Sequence, residues 1–279
     1  MMNIQLGALL YASEVNNEHL ETLKEMGFET ISICFWETLG ETDLASLARC
    51  VGEAGLPVTA LSLWGNPLAN EEVRQGLTTL IDQAYRFGNP FVTGFAGRVP
   101  AGSVDASLPK FKEVFSELLE QIYRHNCRGL LLENCRMGDL WKRGAWNIAI
   151  NDAAWSLIFN TLDDPLLGLE WEPCHQVEAL VEPLAQLTRW KAKVLHVHGK
   201  DAHVDATLLS EIGLYAPNKA IKPTLPGFGD TDWRSLMQIL HEGGYQGSID
   251  IEAGGPSFFA NFEETVASLA YLKKCRRSL

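Results

Sequence analysis

What the chain lacks narrows its class first. The 279 residues include six cysteines, Cys34, Cys50, Cys127, Cys135, Cys174 and Cys275, and no two of them form a CxxC pair. That excludes a disulfide framework and a structural zinc knuckle, and it fits thiols kept in a reducing compartment. No run approaches the roughly 18 apolar residues of a membrane span. The opening MMNIQLGALLYASEV has no basic segment and breaks at Ser13 and Glu14 before a signal peptide could be built. A cytoplasmic protein with no membrane partner is expected. Positive charge is short as well: 23 lysines and arginines stand against 35 acidic residues, a net charge of −12. Such a field repels phosphate backbones, so nucleic acid is not an expected partner. There is no GxGxxG after the first strand and no GxxxxGK[ST], which weakens nucleotide-binding α/β architectures. No low-complexity linker or composition shift divides the chain, and one domain over 1–279 is expected.

What is present is a repeated phrase: an amphipathic helix, a glycine, then a β-branched apolar run. It appears in EMGFETISICF, EAGLPVTALSL, RFGNPFVTGF, NCRGLLLE and GGYQGSIDIE. Glycine suits the left-handed position that closes a helix, and the apolar run after it is the pattern of a strand buried on both faces. Phe111, Val114, Phe115, Leu118, Leu119 and Ile122 keep the helical period between two such runs. Strands are expected near 4–10, 30–35, 58–63, 91–93, 129–133, 167–171, 194–198 and 248–252. Strict βα alternation implies a parallel sheet with right-handed crossovers. Eight units in a chain near the usual length of about 250 residues predict a single (β/α)8 TIM barrel. The segments 134–151 and 199–230 are long connections that follow strands.

In such a barrel, chemistry sits at the C-terminal ends of the strands. Strand five ends in Glu133. Strand six runs into Glu170, Trp171, Glu172, Pro173, Cys174 and His175. Strand seven carries His196 and His198 before Gly199, Lys200 and Asp201, and strand eight carries Asp250 and Glu252. Glu170 and Asp250 are read as structural, pairing with neighbours. Glu133, Glu172, His198 and Glu252 recur at one level on adjacent strands and converge on the axis. Three carboxylates that close repel one another unless a divalent cation joins them. Three oxygen donors and one nitrogen favour Mn2+ or Mg2+, with Co2+, Zn2+ or Fe2+ also fitting.

The tips LLLENC, EWEPCH, HVHGKDA and IDIEAGGP, with LPGFGDTDW before strand eight, resemble the xylose isomerase-like TIM-barrel superfamily of sugar isomerases and epimerases. The resemblance implies one divalent metal ion held by Glu133, Glu172, His198 and Glu252, with Glu133 and Glu252 also serving as catalytic acid and base. It departs at Glu172, where relatives usually carry Asp. His175 matches a substrate-contacting histidine, and Lys200 with Asp201 matches the KD that commonly follows the strand-seven histidine.

The expected partner is a small-molecule carbohydrate, and the expected reaction is isomerisation or epimerisation by α-proton transfer. His175 and Lys200 would orient its hydroxyls. Arg98, in GFAGR, is the nearest cation for an acidic or phosphorylated substrate, and AGGPSF at 253–258 offers a glycine-rich hint of a phosphate cradle. Trp64, with Trp141 or Trp146, could stack on the sugar's apolar face. An inosose-type dehydratase uses the same enolate chemistry. Two further readings stay open: an AP-endonuclease-like phosphodiesterase, disfavoured because LSLWGNP and VTGFAGR contain no histidine, and a non-catalytic sugar-binding protein. Relatives are often dimers or tetramers, so a homo-oligomer is compatible with the chain.

Overall fold

A computed structural model describes residues 4–253 and 257–278. Among the described residues ten strands occur in chain order: β1 Gln5–Tyr11, β2 Thr30–Trp36, β3 Val58–Trp64, β4 Phe91–Gly94, β5 Leu130–Glu133, β6 Leu167–Trp171, β7 Val194–Gly199, β8 Asp201–Val204, β9 Ile221–Thr224 and β10 Ser248–Ile251. Eight of them close into a barrel in the order β1-β10-β7-β6-β5-β4-β3-β2, all neighbours parallel. The expected (β/α)8 architecture is therefore observed. β8 and β9 form an antiparallel pair outside the barrel, within the segment read from sequence only as a long connection.

At Gly27, Gly55, Gly88 and Gly244 the glycine takes the left-handed conformation that the sequence implies, whereas in NCRGLLLE that conformation falls to Asn126 at φ 53° and not to Gly129. Gly27 ends the helix Asn17–Met26 at φ 83°, a conformation glycine adopts without a steric penalty, and its N–H caps the carbonyls of Leu23 and Lys24. Strand alternation then sorts the side chains into two environments. Ile31, Ile33, Leu61, Leu63, Leu130, Leu132, Leu167, Leu169, Ile249 and Ile251 belong to the main apolar core, which also includes helix residues such as Leu77, Phe115 and Leu236. A smaller cluster of Ala60, Phe91 and Leu131, with Leu195 packed against it, is separate from that core.

Side chains from β2, β3, β4, β6, β7 and β10 form a buried polar column. Asp250 accepts from Thr59 Oγ1 at 2.6 Å and Thr30 Oγ1 at 3.3 Å. His196 links Asp250 Oδ2, 2.8 Å from Nε2, to Glu170 Oε1, 2.9 Å from Nδ1. Thr93 Oγ1 lies 2.8 Å from Glu170 Oε2 and 2.8 Å from Ser62 Oγ. Gly7 makes room for this column, because a Cβ there would collide with the Asp250 carboxylate and the Thr30 hydroxyl. Glu170 and Asp250 thus pair with neighbours, as read from the sequence.

Candidate active site

β5, β7 and β10 are hydrogen-bonded to a common sheet and end on the same face of the barrel, so their terminal side chains meet above the polar column. Ligand atoms of Glu133, His198 and Glu252 all lie within 4.8 Å of one another. His198 Nδ1 is 3.4 Å from Glu252 Oε2 and 4.0 Å from Glu133 Oε1. His198 Nε2 faces downward, 3.2 Å from Glu170 Oε1. A carboxylate behind the second ring nitrogen is the usual brace of a metal-binding histidine, since it fixes the ring and its protonation. The HxH spacing on β7 accounts for this: residues two apart share a strand face, so His196 enters the column and His198 caps it.

Hydrogen-bond accounting identifies which groups await a partner. Glu133 Oε2, Glu252 Oε2 and His198 Nδ1 are buried and make no hydrogen bond, as is also true of both carboxylate oxygens of Glu172. Buried polar atoms are nearly always satisfied, so three orphans converging on one point fit a bound cation. Their electrostatics diverge. Burial lifts the Glu133 carboxyl well above its usual range, opposed by His198 and reinforced by the carboxylates of Glu170, Glu172 and Glu252. Burial would raise Glu252 too, but the Lys200 ammonium and His198 hold it far below that range. For His198, burial opposes the charge, while Glu170 and Glu252 together more than compensate and push the imidazole upward.

Glu172 is not brought into this group. Its Oε1 lies 2.5 Å from His175 Nε2 and 3.8 Å from Lys200 Nζ. Asn134 clamps its backbone, donating to the Glu172 carbonyl at 2.9 Å and accepting from the Glu172 N–H at 2.9 Å. Lys200 Nζ also contacts Glu252 Oε1 at 2.5 Å, so this half-buried ammonium bridges two of the four expected ligands. Burial disfavours its charge, yet Glu172 and Glu252 hold its pKa well above the usual value. His175 Nδ1 is 2.8 Å from Glu178 Oε2, on the same short helix, Cys174–Glu178. Asp201, the second residue of the KD pair, braces a loop instead: its carboxylate accepts from Trp233 Nε1 at 2.8 Å and from the Thr231 N–H at 3.2 Å.

A cavity of about 400 Å³ opens beside His175 and Lys200, walled also by Cys135, Met137, Lys219 and Ile221. β9 supplies Ile221, so the unanticipated hairpin contributes part of this wall. An aromatic group covers another side. Trp64 meets His198 edge-on at 6.3 Å, and Trp36 lies 6.3 Å from Trp64, 6.4 Å from Phe95 and 5.8 Å from Trp146. Trp64 and Trp146 are thus the tryptophans near the site. Trp36 was missed, although it ends β2 directly opposite Trp64 on β3, a pairing that alignment of the two strands would have exposed.

Two expectations need correction. Arg98 does not reach the site: it is fully buried, its Nη1 pairs with Asp139 Oδ2 at 3.2 Å, and its Nη2 donates to the Trp141 carbonyl at 3.1 Å. Asp139 in turn accepts from the backbone N–H groups of Ala145, Trp146 and Asn147, so Arg98 holds the 134–151 loop in place. Trp141 packs against the main core and donates its indole N–H to Asp105 at 3.1 Å, which directs it away from the metal-ligand candidates. The glycine-rich hint at AGGPSF falls largely on residues 254–256, which lie outside the described residues.

Comparison with known proteins follows the same lines. Over 121 residues the chain is 27% identical to an inosose dehydratase of Clostridium beijerinckii, a match covering 42% of this chain and 41% of that protein. The chain therefore spans about two fifths of that relative's length in the match. A xylose isomerase domain protein from Planctomyces limnophilus superposes with a TM-score of 0.75 at 17% identity, covering 99% of this chain and 98% of that one. A 3-keto-D-glucoside 4-epimerase from E. coli superposes at 0.69 with 17% identity, covering 98% and 100%. At such identities the structural likeness is one of fold. The pattern of the xylose isomerase-like TIM barrel matches residues 20–275, and the chain belongs to that family.

Proposed function

We propose that this chain is a divalent-metal-dependent isomerase or epimerase of a small carbohydrate, acting by α-proton transfer. One observation carries the reading: Glu133, His198 and Glu252 present mutually close ligand atoms at the C-terminal face of the barrel, where Glu133 Oε2, His198 Nδ1 and Glu252 Oε2 make no hydrogen bond. A divalent ion held there supplies Lewis-acid stabilisation of the charge that develops when a proton leaves the carbon beside a carbonyl. Two oxygens and one nitrogen suit Mn2+ or Mg2+, with Co2+, Zn2+ or Fe2+ compatible.

The chain's own groups divide the remaining work. Glu133 and Glu252 flank the site as proton carriers. Lys200 and His175 line the cavity and offer N–H donors to substrate oxygens. Trp36, Trp64 and Trp146 form an apolar wall suited to a sugar's C–H face and to excluding water. Proton exchange from deuterated water into a panel of ketoses and hydroxy-keto acids tests the reading. Exchange is expected with Mn2+, Mg2+ or Co2+ present and lost in Glu133→Gln and Glu252→Gln. Ion-loaded protein that exchanges none of the panel would contradict it.

Dehydration of a polyol ketone is the second reading, and a specific observation favours it. His175, between the carboxylates of Glu172 and Glu178, is a buried imidazole whose charge burial opposes but Glu172 promotes, so it can hold a proton for a departing hydroxyl. The inosose dehydratase relative points the same way. Growth of enone absorbance, with loss of water from the substrate, distinguishes dehydration from epimerisation.

A further inference from the structure

Next to the proposed ion site lies a thiol that the mechanism does not use, Cys135, grouped with Glu133 and His175. We propose that Glu133, Cys135 and His175 form a further divalent-cation position, soft enough in its donors for Zn2+, sharing the Glu133 carboxylate with the first. The proposal builds on Glu133 as a ligand of the proposed active site, and its test separates the two positions.

Ligand atoms of these three buried residues lie within 4.8 Å of one another. A thiolate, an imidazole and a carboxylate are the donor types that Zn2+ takes, at bond lengths of about 2.0–2.3 Å that modest side-chain rotation would reach. Glu133 is 3% exposed and its Oε2 makes no hydrogen bond; His175 Nε2 makes none either. His175 Nδ1 faces Glu178 Oε2 at 2.8 Å, the carboxylate brace that turns the other nitrogen into a ligand. That other nitrogen, Nε2, lies 2.5 Å from Glu172 Oε1.

The backbone holds the two β5-end donors at fixed spacing. Glu133 and Cys135 are two residues apart, and Asn147 Nδ2 donates to both of their carbonyls, at 2.9 and 2.8 Å. Cys135 borders the cavity together with His175 and Lys200, so an ion has a route in. Cys174 is the competing thiol, since it groups with His175 and Glu178. It instead packs with Ala202 and Ile221 beneath the hairpin, and Glu178 is already engaged at His175 Nδ1. On binding, the Cys135 S–H bond breaks, its proton passes to solvent, and the sulfur–metal bond forms with no change of oxidation state.

Reduced, chelator-stripped full-length protein titrated with Co2+ as a Zn2+ surrogate tests this. Wild type should bind about two Co2+ per chain and show a thiolate-to-cobalt charge-transfer band in the near ultraviolet. Cys135→Ser should bind about one and lose the band, Cys174→Ser should match wild type, and His198→Gln should bind about one and keep the band. A wild type without the band, or a band lost in Cys174→Ser but kept in Cys135→Ser, would overturn the proposal. A wild type that binds one ion with the band would overturn the Glu133–His198–Glu252 site and leave this one standing. Should Cys135→Ser fail to fold, alkylation of wild-type Cys135 read by peptide mass gives the answer: stoichiometric Zn2+ should protect the thiol, and equal labelling with and without Zn2+ would overturn the assignment.

Discussion

Two polar clusters lie one above the other inside this barrel, and they differ in how fully their groups are paired. In the lower one, Glu170, His196 and Asp250 are bonded to one another and to Thr30, Thr59 and Thr93. In the upper one, Glu133, His198 and Glu252 crowd together with orphaned oxygens and an orphaned Nδ1. Both are buried, acidic and histidine-bearing, so composition does not separate them. Satisfaction does: a closed network stabilises and orients, whereas an open one is held for a ligand. The closed layer also serves the open one, because Glu170 lies behind His198 Nε2.

Substitutions at the two levels should therefore fail in different ways. The largest expected effect is on chemistry: Glu133→Gln should reduce α-proton exchange by about 10²–10⁴-fold, the usual scale for losing an acid–base group, with circular dichroism unchanged. Next is stability. Asp250→Asn removes the carboxylate that most favours the His196 charge and should cost about 3–5 kcal/mol in denaturant unfolding, the range for breaking a buried charge pair. Burial raises the Asp250 carboxyl, but His196 outweighs it and holds the pKa below the ordinary 3.8. A depressed carboxyl contributes stability above its unfolded value that is lost as pH falls through the folded one. The gap between wild type and Asp250→Asn should accordingly narrow as pH drops below that ordinary value. If the gap widened in acid, the pairing would be wrong.

Smaller effects sharpen the boundary of the open cluster. Arg98→Met should destabilise by about 2–4 kcal/mol by removing the cation that pairs with buried Asp139, while the KM ratio between acidic and neutral substrates stays constant. A selective loss for acidic substrates would return Arg98 to the site. Glu172→Gln should keep the thermal upshift given by saturating Mn2+, about 2.7 kcal/mol at a hundredfold excess over Kd, because Glu172 faces His175 and Lys200. Loss of that upshift would restore Glu172 to the first ion. Trp36→Ala, smallest of all, should raise KM by less than about tenfold with kcat nearly unchanged, as expected for losing one stacking wall.

Much of this was legible in the sequence because it depends on strand periodicity. Apolar runs after glycines located five of the eight barrel strands and apolar runs alone the other three, and strand-end residues Glu133, His198 and Glu252 follow from strand geometry once the sheet closes. What escaped depends on contacts that the period does not encode. Glu172 lies beyond β6, where the turn into Cys174–Glu178 places it against His175. The burial of Arg98 is set by Asp139, on a loop whose own shape depends on backbone donors from residues 145–147. The β8–β9 pair joins segments separated by a helix, Ala206–Ile212, and β9 contains Pro223, a residue that argues against a strand in isolation.

Direct titration of chelator-stripped protein with Mn2+ bears most closely on the distinction between open and closed clusters. The account predicts saturable binding in wild type that is abolished in Glu252→Gln and in His198→Gln, with the fold of both variants intact. Binding that survives both substitutions, or a wild type that takes up no Mn2+ while still exchanging α-protons, would contradict it.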